Sequence, residues 1–283
     1  MEKVAQELIS DYDIYKQTGF PENIPIPKID AAKQIVNDMN KLEIVLHLIN
    51  LLIKIQFEGL MGRKYQISHL REIIKELTEY GFIYDNINKI FVEDPALRRT
   101  RNWGTLRKDK EYIFAFLMLD IVKNSELVRK YSVELINKTY ADLKDIVDIA
   151  IERRNGRIWS WEGDGGLVAF YFSHKNLLAT LSAMEIIHEL FIYNQLFCKL
   201  DEPLAVRLAV HLGPFEYTEY EDDLKNNDTI KKVIEIEAKY TKPNSLTISN
   251  IVYESLVSFL ADRFKTLNTG TGVNYYNYQL KWK

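Results

Sequence analysis

The run Tyr112-Ile113-Phe114-Ala115-Phe116-Leu117-Met118-Leu119 reads as a buried strand, and a carboxylate, Asp120, closes it. A charge at the end of such a strand is costly unless something cationic meets it. A second acid, Asp164, stands in Trp161-Glu162-Gly163-Asp164-Gly165-Gly166, between strand-like segments 157–161 and 167–172. Two carboxylates on neighbouring strands, with glycines that let a ligand approach the backbone, suit Mg²⁺ shared with a triphosphate.

The pattern after residue 110 alternates strands and helices. Strand 112–120 is followed by helical residues 125–153 in two pieces, a hairpin over 157–172 and a long helix over 176–197. A strand over 204–212, a helix over 229–240, a short strand over 246–249 and a hairpin over 264–282 complete it, the last broken by Gly270-Thr271-Gly272. This β-α-β-β-α-β order predicts an α+β fold, an α/β sandwich with a ferredoxin-like core: a mixed sheet with helices packed on one face.

Residues 1–106 read instead as mainly helical, with apolar residues at helical spacing over 29–59. A helix is expected over 67–80 with Ser68 as its N-cap. Gly81 stops it, and Phe82-Ile83-Tyr84 and Ile90-Phe91-Val92 form a hairpin, the outline of a winged helix. Arg71 and Lys75 share the last helix with Glu72, Glu76 and Glu79, a poor surface for tracking phosphates. A packing or control role is therefore expected ahead of DNA binding. In the connector 97–110, Arg98, Arg99, Arg101, Arg107, Lys108 and Lys110 oppose Asp109 alone. Such a run is a solvated linker, or a set of cations facing a triphosphate or an acidic partner. Trp103-Gly104 within it predicts a fixed turn.

Composition narrows the function classes. A net charge of −3 argues against wholesale coating of nucleic acid. Cys198 is the only cysteine, which excludes an intrachain disulfide and a cysteine-rich zinc site. The longest apolar stretch, 42–55, is interrupted by Glu43, His47, Asn50 and Lys54, and reads as an amphipathic core helix rather than a membrane span. Met1-Glu2-Lys3 leads into no secretory apolar segment, so a cytoplasmic protein is expected.

Four segments then add up. Leu119-Asp120-Ile121-Val122-Lys123-Asn124-Ser125 pairs an Asp with Ile-Val and places Ser five residues later. Gly156-Arg157-Ile158, Glu162-Gly163-Asp164-Gly165 and Val168-Ala169-Phe170 follow, then Val206-Arg207-Leu208-Ala209-Val210-His211-Leu212-Gly213-Pro214, then Thr241-Lys242-Pro243-Asn244-Ser245-Leu246-Thr247-Ile248-Ser249. In this order, over roughly residues 111–256, they resemble the catalytic domain of class III nucleotidyl cyclases, the adenylate and guanylate cyclase superfamily. The resemblance implies a catalytic domain over 107–283 after an N-terminal region over 1–106. The resemblance implies two divalent ions per site, Mg²⁺ or Mn²⁺, held by Asp120, Asp164 and the backbone carbonyl of Ile121. The turn at 122–125 opens a helix whose N–H groups suit phosphate, with Asn124 and Ser125 adding polar contacts. The resemblance also implies a head-to-tail homodimer with each site built across the interface. Tyr112 shares a strand face with Asp120 at about 26 Å, so it would serve the partner's site.

Within that superfamily the chain is similar to the pyrimidine cyclases of the Pycsar anti-phage system, which make cyclic CMP or cyclic UMP as an alarm signal. Ser160 stands where purine cyclases carry a base-reading lysine, four residues before the second metal aspartate. Tyr112, Trp159 and Trp161 would narrow the pocket towards a one-ring base. Purine cyclases carry an Asn and, four residues later, an Arg on a helix; here the matching segment is Asn227-Asp228-Thr229-Ile230-Lys231-Lys232-Val233-Ile234-Glu235. One register sets Lys231 and Glu235 at those positions and another Asn227 and Lys231. A glutamate does not stabilise a phosphorane, so the catalytic cation is expected from Lys231 or, beside it, Lys232. Lys265 is the nearest candidate for a triphosphate-binding lysine, and His211 reads as structural. The expected reaction converts CTP or UTP to a 3′,5′-cyclic nucleotide and pyrophosphate. The alternatives are an adenylate or guanylate cyclase, and a degenerate cyclase fold serving as a nucleotide sensor or transcription regulator.

Overall fold

The structure, a computed structural model, describes residues 2–97, 100–269 and 272–280. The chain divides into two compact units, Met1–Arg107 and Lys108–Lys283.

The first unit runs α1 (Glu2–Gln6), α2 (Ile14–Thr18), α3 (Lys28–Lys41), α4 (Val45–Phe57), α5 (Leu70–Glu79), β1 (Phe82–Asp85) and β2 (Ile90–Glu93). Ala31, Ile35 and Met39 recur along one face of α3 and pack with Ile44 and Leu48 and with Ala5, Tyr12 and Ile14. The helix expected over 42–55 is α4, and it begins later, at Val45. Leu42 caps α3, and Glu43 takes a left-handed conformation with φ of 56°, so the chain turns before α4 begins at Val45. Ile49 and Ile53 of α4 pack on Leu70 and Phe91, tying the helices to the hairpin. Asp85 closes that hairpin by accepting N–H bonds from Ile87 at 2.8 Å and Asn88 at 3.0 Å. Ser68 is not the N-cap of α5. His69 holds that position at φ of 59° with no capping side chain, and the helix starts one residue later than a Ser68 cap would place it. The fixed turn at Trp103-Gly104 is present: Trp103 is fully buried, and both residues have positive φ. Arg98 and Arg99 of the connector lie outside the described residues.

The second unit runs β3 (Glu111–Ile121), α6 (Asn124–Lys130), α7 (Val133–Glu152), β4 (Arg157–Glu162), β5 (Gly165–Phe170), α8 (Lys175–Leu196) and β6 (Val206–Glu216). It continues through α9 (Glu221–Leu224), α10 (Asp228–Tyr240), β7 (Ser245–Ser249), α11 (Asn250–Tyr253), α12 (Ser258–Ala261), β8 (Lys265–Asn268) and β9 (Asn274–Gln279). Among the described residues these strands form one seven-stranded mixed sheet, ordered β4-β5-β3-β6-β7-β9-β8. Only β6 and β7 pair in parallel, Arg207 facing Ser245 and Val210 facing Ile248. Gly270, Thr271 and Trp282 of the expected terminal hairpin lie outside the described residues.

Strand alternation sorts β3 onto two faces. Ala115, Leu117, Leu119 and Ile121 enter the main core with α7 and α8 residues such as Leu143, Val147, Ala183 and Ile186. Phe114, Phe116 and Asp120 take the other face. There, Phe114 and Phe116 meet Trp159 and Phe215 with ring centroids 4.9–6.0 Å apart. The expectation of helices on one face alone is corrected here. α10 packs on this second face, where the side chain of Thr229 fills the space over Gly213 on β6. Among the described residues, no helix is long and apolar enough to cross a membrane.

Candidate active site

Antiparallel pairing brings the two acids together. Asp120 on β3 stands opposite Gly165, the first residue of β5, and the N–H of Ile121 donates to the carbonyl of Asp164 at 2.9 Å. The pairing is close enough to demand glycine. A Cβ on Gly165 would lie 2.2 Å from the Leu119 carbonyl oxygen, a backbone atom that cannot rotate away. Asp120, Asp164 and Ser160 line one cleft, whose far wall is Lys225, Ile230 and Ile234.

Each acid has its own partner. The Asp164 carboxylate accepts from the Asn124 side-chain amide at 2.6 Å, and the Asn124 oxygen in turn accepts from the Tyr140 hydroxyl. Asn124 therefore orients an acid, a role different from the phosphate contact expected of it. Asp120 receives Arg207 Nη2 at 2.5 Å. Arg207 is the cross-strand neighbour of Asp120 on β6, and its Nε lies 2.5 Å from Glu237 Oε1 on α10. That second contact is an ion pair by proximity, without the alignment of a hydrogen bond.

Electrostatics follow from this layout. Burial raises the Asp120 pKa above the usual carboxylate range; Arg207 opposes that rise and the Asp164 charge reinforces it. Glu237 is 4% exposed, and its pKa is pushed up to about 7, chiefly by burial, with Arg207 opposing and Asp120 adding. The Tyr140 pKa is raised by burial and then by the two aspartates.

The donor set fits a hard divalent cation. Among the described residues no cluster of three or more His, Cys, Asp or Glu side chains is placed to hold a metal. An ion here would rest on two carboxylates and a main-chain carbonyl, and would draw its remaining oxygens from solvent or a ligand. Mg²⁺ commonly binds in this way, through one or two carboxylates plus substrate phosphates. That an arginine already meets Asp120 marks the position as one that draws positive charge.

The other residues expected at the site divide. Ser160 lines the cleft. A β-bulge between Ile158 and Ser160 breaks the alternation of β4. It places Trp159 in the aromatic cluster and sends Trp161 to the opposite face, where it packs on the α7–α8 core with Lys144 5.9 Å over its ring. The substrate contact expected of Trp161 is thus corrected within its own chain. Ser125 is exposed at the start of α6, a helix of 7 residues. Tyr112 sits at the far end of β3 on the Asp120 face, edge-on to Tyr171 at 5.5 Å. Lys231 does not line its own cleft. It is solvent-facing, 3.5 Å from Asp228, because its helical neighbours Ile230 and Val233 take the buried positions. The lysine in the wall is Lys225, 2.9 Å from Glu162. His211 shares a 2.9 Å hydrogen bond with Ser249, and burial depresses its pKa to about 4, as suits a structural residue.

Arg207, Glu237, Tyr140 and Lys225 were not singled out from sequence. For Arg207 a signal existed: antiparallel pairing of the two motif strands would set some β6 residue opposite Asp120, and Arg207 is the only cation of that segment.

No family model matches the sequence, and no curated protein matches it. Solved structures do. One is the catalytic core of a rhodopsin-guanylyl cyclase with converted specificity in complex with ATPαS, at 16% identity and a TM-score of 0.50, covering 61% of this chain and 98% of that one. Another is the guanylate cyclase domain from Catenaria anguillulae in complex with GTP, at 17% identity and a TM-score of 0.49, covering 61% of this chain and 100% of that one. An adenylate/guanylate cyclase/hydrolase from Silicibacter pomeroyi gives 19% identity and a TM-score of 0.48, covering 61% of this chain and 99% of that one. The mixed sheet and its helices therefore have the fold of class III adenylate and guanylate cyclase catalytic domains.

Proposed function

We propose that residues 108–283 form a two-metal nucleotidyl cyclase, acting on CTP or UTP as a homodimer and supplying an anti-phage signal. One observation carries the reading: Asp120 and Asp164 converge on a single cleft, on the fold that cyclases use. Asp120, Asp164 and the Ile121 carbonyl would hold Mg²⁺ or Mn²⁺, which when bound favours ionisation of a ribose 3′-hydroxyl and offsets phosphate charge. In the reaction the 3′-oxygen bonds to the α-phosphorus, the bond to the bridging oxygen breaks, pyrophosphate leaves with that electron pair, and the 3′ proton passes to solvent. Asn124 and Tyr140 hold Asp164 in place. Lys225 in the cleft wall would give a cation towards the phosphate tail.

The cleft measures about 190 Å³, below the roughly 300–1,000 Å³ of a ligand pocket. That size supports completion of the site by a second copy. Lys231, exposed on α10, then serves the partner's α-phosphate, and Tyr112 the partner's base. Ser160 at the cleft wall offers one short hydrogen-bonding group and no charge, which supports a pyrimidine over a purine read by lysine.

Purified full-length protein incubated with Mn²⁺ and each of ATP, GTP, CTP and UTP tests this. Cyclic CMP or cyclic UMP is expected, falling to background in Asp120→Asn and Asp164→Asn. A purine product alone would refute the base assignment. No cyclic product from any of the four would refute the enzyme and leave a nucleotide-sensing fold.

A further inference from the structure

The two acids of the site are held differently. Asp164 has a neutral amide partner, Asn124, whereas Asp120 has a full cation, Arg207, at 2.5 Å. Arg207 is in turn shared: Nη2 lies on Asp120 and Nε 2.5 Å from the buried Glu237. A guanidinium seated on Asp120 and a divalent cation bonded to the same carboxylate would lie within a few ångströms of each other. Like charges that close repel strongly in a partly buried cleft. That repulsion favours displacement of the guanidinium, and the geometry supplies a refuge for it, because Glu237 already lies against its Nε.

Resting on the cyclase reading of the acid pair, we propose that Arg207 is an exchangeable internal cation on Asp120, with Glu237 the carboxylate that receives it when a divalent ion binds. Arg207 then keeps the empty site folded and electrically balanced, and sets a threshold that the ion must overcome. Glu237 is a positioning residue: it acts through Arg207 and lowers that threshold. The two residues are thereby predicted to push metal affinity in opposite directions, which a merely structural role would not do. Loss of packing or of fold would weaken binding in both variants.

The test is Mn²⁺ binding to the full chain without nucleotide, read from the electron paramagnetic resonance signal of free Mn²⁺, with circular dichroism to confirm folding. Arg207→Gln is expected to bind Mn²⁺ about tenfold or more tightly than wild type, having lost the competing charge. Glu237→Gln is expected to bind several-fold more weakly. Asp120→Asn reports on the underlying reading. If it binds as well as wild type, the acid-pair site and the exchange both fall. If binding depends on Asp120 but Arg207→Gln shows no tightening, the exchange alone falls. Crystals of the wild-type protein with and without Mn²⁺ separate exchange from the repulsion of a fixed charge, and they decide alone should Arg207→Gln fail to fold. The guanidinium is expected to leave Asp120 when the ion is present, and its retention there beside a bound ion would overturn the proposal.

Discussion

At the scale of single residues, the site depends on one close approach. Gly165 lets β5 press against β3 directly beside Asp120, and any side chain there would meet backbone. Gly165→Ala is predicted to destabilise the protein by about 1–3 kcal/mol, as overpacking does elsewhere, and to move Asp164 away from Asp120. Urea denaturation of the purified variant measures the first effect; an unchanged midpoint would show that the strands can separate at no cost. Asp120, Asp164 and Gly165 were legible in the sequence because carboxylates at strand ends and glycines in turns have few cheap explanations. The ion-pair chain Asp120–Arg207–Glu237 was not legible. Its members are 87 and 30 residues apart in sequence, and only sheet register and helix docking unite them. Trp161 shows the same limit from another side. Alternation puts it on the face of Trp159, and a single bulge reverses that.

At the scale of elements, α10 is the piece that sequence reasoning placed least well. Its apolar stripe predicted a helix correctly, but a stripe does not say which face of the sheet it covers. It lies on the Asp120 face, so Glu237 reaches Arg207 while Lys232 and Ser249 stand about His211. This arrangement makes His211 a titratable joint between β6, β7 and α10. Burial, and then the Lys232 charge, depress its pKa from 6.5 to about 4. The folded state thus binds fewer protons than the unfolded chain between those values, and stability is lost as pH falls from 6.5 towards 4. Relative to wild type, His211→Gln should lose less stability over that window, by an amount on the order of 1–3 kcal/mol. Glu237 works in the opposite sense between 4.5 and about 7, favouring the fold at the acid end. It is present in both proteins and cancels in the comparison. Parallel stability profiles from chemical denaturation at several pH values would rule out the buried neutral ring.

At the scale of the whole molecule, the proposed homodimer rests on a cleft of about 190 Å³ and on a lysine that lies outside it. If the proposed homodimer shares its sites, Asp120→Asn and Lys231→Ala are each inactive alone yet complement each other. In a mixed dimer one of the two sites has intact metal ligands from one copy and an intact lysine from the other. After subunit exchange, about a quarter of wild-type activity is predicted, since half of the dimers are mixed and half of their sites complete. A mixture no more active than its components would mean that each chain builds its site alone. The chain divides after Arg107, and the strand pattern of the second unit begins at Glu111.

The central claim is that Asp120 and Asp164 grip divalent metal together, and anomalous X-ray scattering from crystals soaked in Mn²⁺ with a non-cyclisable pyrimidine triphosphate tests it most directly. Peaks are predicted within coordination distance of both carboxylates. Ordered Mn²⁺ elsewhere, with nothing between the two aspartates, would contradict it.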